Sequence, residues 1–191
     1  MKTKSSVALF LAVLVVAVVW GERYWAARRT AQASASALAQ AARWTPAAQR
    51  AASVMIEQYG PPQGISSFEL RWNGPSPWKR IVIQDEPQSP LEQVVNYVVP
   101  ADKLAALNRF PHNLRIYPAE GAVGARSDRE DLNLLSLNLA DDIATGRTAP
   151  EDANRIFARI VRLHEAGKSS PYMERLLLKS RVAPDPDFPL P

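Results

Sequence analysis

No cysteine occurs among the 191 residues. That excludes disulfides, thiolate nucleophiles and cysteine-ligated metals, and it leaves the redox compartment open. Histidine occurs only twice, as His112 and His164, too few for a zinc site built on imidazoles. No Gly-x-Ser-x-Gly surrounds any serine, and Gly121-Ala122-Val123-Gly124 lacks the spacing and lysine of a phosphate loop, so it reads as a plain loop. An excess of one charge is also missing from most of the chain. Residues 1–40 hold five of the 23 basic residues and one of the 19 acidic ones, and so carry the whole net charge of +4. The other 151 residues have eighteen of each sign. Phosphate contacts dominate nucleic-acid affinity and require a basic surplus. Despite a pI near 9.6, the body has none, and nucleic acid is not an expected partner.

What is present begins at the amino terminus. Lys2 and Lys4 precede Val7–Trp20, an unbroken apolar run of fourteen residues. A spanning helix needs roughly 17–25 residues, so 7–21 reads as a signal-anchor at the lower limit or as the core of a signal peptide. Small-residue cleavage patterns lie ten or more residues further on, behind Glu22, Arg23, Arg28 and Arg29, which favours the anchor. The lysine-flanked run resembles an export signal, so the expectation is a single pass of the inner membrane through 7–21 with a periplasmic body. The alternative is a cleaved signal and a soluble periplasmic protein.

The divisions that follow are a basic start at 1–6, the apolar segment at 7–21, an Ala-rich helical stalk or linker at 22–43, a single domain at 44–180 and an extended proline-rich tail at 181–191. Within the domain, Thr45-Pro46 caps a helix whose face is Ala48, Ala51, Ala52, Met55, Ile56 and Tyr59. Phe68, Leu70 and Trp72 alternate with Glu69 and Arg71 as a half-buried strand. Trp78–Gln84 returns as a second strand, Leu91–Val99 makes a third, and Asn113–Tyr117, flanked by prolines, is a short edge strand. Ala101–Phe110 suits a short helix. The stretch Asp128–Gly146 is apolar on two faces, Leu132, Leu135, Leu139 and Ile143 on one and Leu134 and Leu137 on the other. Such a helix is covered on both sides and central in its domain. Ser127 or Asp128 would cap it and Gly146 would stop it. Pro150–Ala166 is amphipathic, with Ala153, Ile156, Phe157, Ile160, Val161 and Leu163 inward. The fold class expected is α+β: a small antiparallel sheet of three or four strands packed by helices and preceded by an N-terminal membrane helix.

Three signatures occur in order: Tyr59-Gly60-Pro61-Pro62; then Trp72 with Pro77-Trp78-Lys79-Arg80; then Glu130-x-x-Asn133 with Leu137-Asn138-Leu139-Ala140 and Asp142-Ile143. Together they resemble an uncharacterised family of bacterial envelope proteins, over roughly 44–178. Members often carry histidines before the third strand; Asp85 to Leu91 has none here, so no metal role is carried over. The resemblance implies no activity.

Two constellations stand out. Glu130, Asn133 and Asn138 could line a polar pocket on the central helix, although buried asparagine more commonly ties backbone to a neighbouring element. Arg155, Arg159 and Arg162 form a basic stripe that could meet a partner, with Glu151 and Glu165 spaced to ion-pair it instead. Glu130 and Asp141 lie too far apart along a helix for a carboxylate pair, and neighbouring Asp141 and Asp142 read as solvated. No catalytic residue, metal site or cofactor is expected. The functional expectation is a membrane-anchored envelope protein that binds or scaffolds an envelope partner without catalysis. The competing reading is a small periplasmic enzyme using the groups around Glu130, Asn133 and Asn138.

Overall fold

The computed structural model describes residues 25–178. The segments expected at 1–6, 7–21 and 181–191 lie outside the described residues. Among the described residues, no helix is long and apolar enough to cross a membrane. The architecture is α+β, with a six-stranded antiparallel sheet rather than three or four strands. In chain order the elements are helix α1 over 25–41, α2 Pro46–Tyr59, β1 Gly64–Ile65, β2 Glu69–Asn73, β3 Arg80–Gln84 and β4 Leu91–Asn96. A 3₁₀ turn, α3 Leu104–Asn108, β5 Leu114–Tyr117, β6 Ala122–Ser127, α4 Glu130–Ala144, α5 Pro150–Glu165 and α6 Pro171–Glu174 follow. The sheet order is β1-β2-β3-β4-β6-β5.

Two strands are additional to the expectation. β1 is only two residues long. β6 is the stretch read as a loop, yet it lies between β4 and β5, with Val95 opposite Val123 and Gln93 opposite Ala125. Its small side chains misled the reading because glycine and alanine are poor strand formers, but packing explains them. Val123 and Ala125 are buried in the core under α4. On the other face, a Cβ at Gly124 would stand 3.0 Å from Val94 Cγ2 and 3.3 Å from the Gln93 carbonyl. That bare backbone lets Tyr117 on β5 reach over β6 and donate its hydroxyl to Glu92 on β4. Arg80 then lies over the Tyr117 ring, 4.6 Å from its centre. Long polar side chains so cover Val82 and Val94, which are buried although they sit on the face without helices. Phe68, expected inward, is instead in the turn before β2 and 63% exposed.

The helical layer is organised on α4, which packs on β6 and β4 and also meets α3, α5 and α6. Leu134, Leu135, Leu137, Leu139 and Ile143 are all buried, as a helix apolar on two faces requires. Gly146, at φ 74°, closes the C-terminus and donates its N–H to the Ile143 carbonyl at 3.0 Å. The N-terminal expectation needs correction. Arg129 is the capping residue and makes no side-chain cap bond, while Ser127 Oγ accepts the Arg129 N–H at 3.2 Å. Thr45 likewise does not cap α2 with its side chain; its hydroxyl donates to the Glu86 carbonyl at 3.0 Å.

α5 lies outermost, with Ala153 buried and Ile156, Phe157, Ile160 and Val161 partly so. Leu163, expected inward, is 43% exposed. Each histidine holds one part of this helix. His112 stacks on Phe157 with ring centres 3.6 Å apart and planes at 10°, and Phe110 meets the His112 ring edge-on. His164 Nε2 lies 3.2 Å from Asp131 Oδ2 at the start of α4. Burial lowers the His112 pKa below its ordinary 6.5, and hydrogen bonding with the Asn154 side chain opposes the shift. Below pH 6.5 the unfolded chain therefore binds more protons at this site than the folded one. The stability contribution is complete above that pH and is lost as pH falls toward the folded value. Thermal unfolding from pH 7.5 to 5 is expected to show a steeper loss of Tm in the wild-type chain than in His112→Phe, which keeps the stack and cannot charge. Parallel curves would mean that the imidazole does not sense its burial.

α1 is helical within the stretch read as a stalk or linker, and its end joins the core. Ala37 and Ala41 are buried in the same core as Ala48, Ala51 and Ala52. Gln40 Nε2 and Trp44 Nε1 both donate to the Ser67 carbonyl, at 3.1 and 3.0 Å. The end of the stretch assigned to 22–43 is thus part of the domain.

Candidate functional site

The sequence signatures that lie far apart in the chain meet at the end of α2. Gly60, at φ 76°, ends that helix, and its carbonyl accepts the Trp72 indole N–H at 2.9 Å. The Tyr59 hydroxyl donates to Glu130 Oε1 at 2.7 Å. Trp78 Nε1 donates to the Tyr59 hydroxyl at 2.8 Å and lies 3.2 Å from the same Glu130 oxygen. Gln58 Nε2 donates to the Tyr59 hydroxyl at 3.1 Å. Burial, with the Glu130 hydrogen bond adding to it, drives the Tyr59 pKa well above the usual phenol range. Tyr59 therefore stays a protonated donor at any physiological pH. Glu130 is the first residue of α4, where the helix dipole favours a negative charge. Its Oε1 is fixed from two sides by aromatic donors.

Beside this knot is a hollow of about 360 Å³, floored by Ala51, Val54, Met55 and Leu91. Arg50, Gln58 and residues 128–131 stand around it. Val54 is 51% exposed there, an apolar side chain that the fold leaves uncovered.

Glu130, Asn133 and Asn138 do not converge on one pocket. Asn133 is buried between α4 and the sheet, where its Nδ2 donates to the Leu91 carbonyl at 3.2 Å and to Gln93 Oε1 at 3.0 Å. Its Oδ1 is buried without a partner among the described residues. Asn138 serves another neighbour. Its Nδ2 donates to the carbonyls of Tyr172 and Arg175, at 3.0 and 2.8 Å, and its Oδ1 accepts the Leu177 N–H at 2.7 Å. One amide thereby strings the segment after α6 along α4 by its backbone. This is the structural use of a mid-helix asparagine.

Asp141 and Asp142 were expected in solvent, and the structure corrects this: both are buried. Asp141 Oδ1 accepts the Tyr97 hydroxyl at 2.8 Å, and Arg147 Nη2 lies 2.5 Å from Asp141 Oδ2. Arg147 Nε donates to Asp142 Oδ1 at 2.7 Å, while Tyr172 donates to Asp142 Oδ2 at 2.6 Å. All four carboxylate oxygens are bonded. The Asp142 hydrogen bond and burial push the Tyr172 hydroxyl up to about 12. Two carboxylates near the negative end of a helix are unfavourable alone, and Arg147 bridges both. The arrangement is a clasp that ties the end of α4 to Tyr97, Arg147 and Tyr172. No sequence signal short of pairing Arg147, Tyr97 and Tyr172 with this turn could have revealed it.

Arg155, Arg159 and Arg162 are exposed on α5. Arg155 pairs with Asp152, and the expected partner Glu151 reaches Arg109 at 3.5 Å instead. Arg155 and Arg159 border a shallow hollow with Arg147, Thr148 and Asp152. Among the described residues no group of three or more His, Asp or Glu side chains is placed to hold a metal ion. Comparison with known protein families, characterised proteins and solved structures returns no match.

Proposed function

We propose that this chain is a non-enzymatic binding module of the bacterial envelope, held at the inner membrane through residues 7–21 with its α+β domain in the periplasm. The observation that carries the binding role is the hollow between α2 and the start of α4, where Val54 stands uncovered beside a fixed carboxylate. An apolar depression with a few oriented polar groups is the usual form of a binding site. The enzyme reading needs the amides and carboxylates of α4 to act together. Asn133, Asn138, Asp141 and Asp142 are instead each committed to internal bonds on different sides of the helix. The membrane and periplasmic parts rest on the lysine-flanked apolar run alone.

One experiment in cells addresses both parts. A photo-reactive residue at Val54 of the full chain is expected to give a discrete adduct that a photo-reactive residue at exposed Ala158 does not give. The adduct should sediment with membranes and be degraded when protease is added to spheroplasts. Absence of the Val54 adduct would sink the binding role. An adduct protected from protease would reverse the location and leave the binding role standing.

A further inference from the structure

The hollow presents one carboxylate oxygen that the fold leaves open to a donor. Glu130 Oε1 is saturated by Tyr59 and Trp78, while its Oε2 takes no bond among the described residues. One turn further along α4, the buried Asn133 holds the floor in place, its Nδ2 donating to the Leu91 carbonyl at 3.2 Å. The charges around the hollow lean the same way. Arg129 is engaged by Asp131 at 3.2 Å, and Asp131 also meets His164 at 3.2 Å. That leaves Glu130 and Asp128 facing Arg50.

Resting on the binding role proposed above, we infer that the hollow receives a lysine side chain of a partner polypeptide. The butyl stem lies on Ala51, Val54, Met55 and Leu91, as long cationic side chains cover apolar surface. The ammonium, with three donors and no acceptor, meets Glu130 Oε2. The single free oxygen also separates lysine from arginine. A guanidinium fork matches both oxygens of a carboxylate, and here Tyr59 and Trp78 already occupy one. The volume of about 360 Å³ has room for one long side chain together with part of the backbone that carries it.

The chain has three methionines, Met1, Met55 and Met173. Methyl labelling therefore gives the full chain in detergent a reporter on the floor, Met55, and a buried control, Met173. The probes are N-acetyl methylamides of lysine, arginine and norleucine. The lysine amide is expected to shift Met55 and not Met173, with an affinity roughly fivefold above the other two. Glu130→Gln keeps an oxygen for Tyr59 and Trp78 and turns an N–H₂ toward the ligand, so lysine should fall to the norleucine level. Asp128→Asn, which touches none of the knot, should give a smaller loss, and an unmoved Met173 signal reports that either variant is folded. Equal affinity for norleucine and lysine, or an unchanged lysine preference in Glu130→Gln, would overturn the inference and leave the binding role intact. A Met55 signal that no amide moves would overturn it as well, while the Val54 adduct judges the binding role separately.

Discussion

Arg147→Met is expected to lower the free energy of unfolding by about 2–4 kcal/mol at neutral pH. The substitution keeps most of the side chain's bulk and removes the cation that bridges Asp141 and Asp142. Breaking a buried ion pair from one side typically costs about 3–5 kcal/mol because an uncompensated charge stays behind. The Arg147 side chain is 38% exposed, so water replaces part of what is lost and the lower range applies. Arg147→Lys should be intermediate, since one ammonium cannot serve two carboxylates with the reach of a planar fork. Urea denaturation of the three proteins checks the order. A loss within about 0.5 kcal/mol for the methionine variant would mean that the clasp is hydrated and of little weight.

Leu135→Ala and Leu137→Ala are each expected to cost roughly 2–5 kcal/mol. At 100° per residue the two side chains point about 160° apart around α4, yet both are fully enclosed. Leu137 shares a small internal space with Val95, Leu107, Val123 and Leu178, so its truncation leaves a cavity between helix and sheet. Leu135 belongs to the stripe with Leu139 and Ile143, where the same truncation opens the other side. If only Leu135 were costly and Leu137→Ala stayed within about 0.5 kcal/mol, one flank of α4 would be accessible to water.

α4 was legible in the sequence because its evidence is local: two leucine faces, acidic residues in the first turn and a glycine stop all lie within twenty positions. β6 was not, because its reasons are remote. Gly124 is small on account of Val94 and Gln93 across the ladder, and Ala125 is small beneath a helix. Read alone, Gly-Ala-Val-Gly-Ala-Arg has nothing of a central strand. Asp141 and Asp142 failed for a related reason. Adjacent charged residues on a helix normally mark its wet side, and only Tyr97, Arg147 and Tyr172 make their burial tolerable. The candidate site divided in the same manner. Glu130 could be singled out from its place in a signature, but that Tyr59 and Trp78 would pin one of its oxygens depends on pairings across 71 and 52 residues.

The anchoring of α1 sets a heading as well as a contact. Ala37 and Ala41 clamp one end of the helix into the core, and helical structure is continuous from 25 to 41. Between Trp25 and Ala37 the axis advances about 18 Å at 1.5 Å per residue, and each residue adds about 100° of rotation. Adding one residue in that interval would swing Trp25 to a different compass bearing with hardly any change in reach. The domain thus works as the hub of a spoke, and the register of α1 determines which of its faces the spoke addresses.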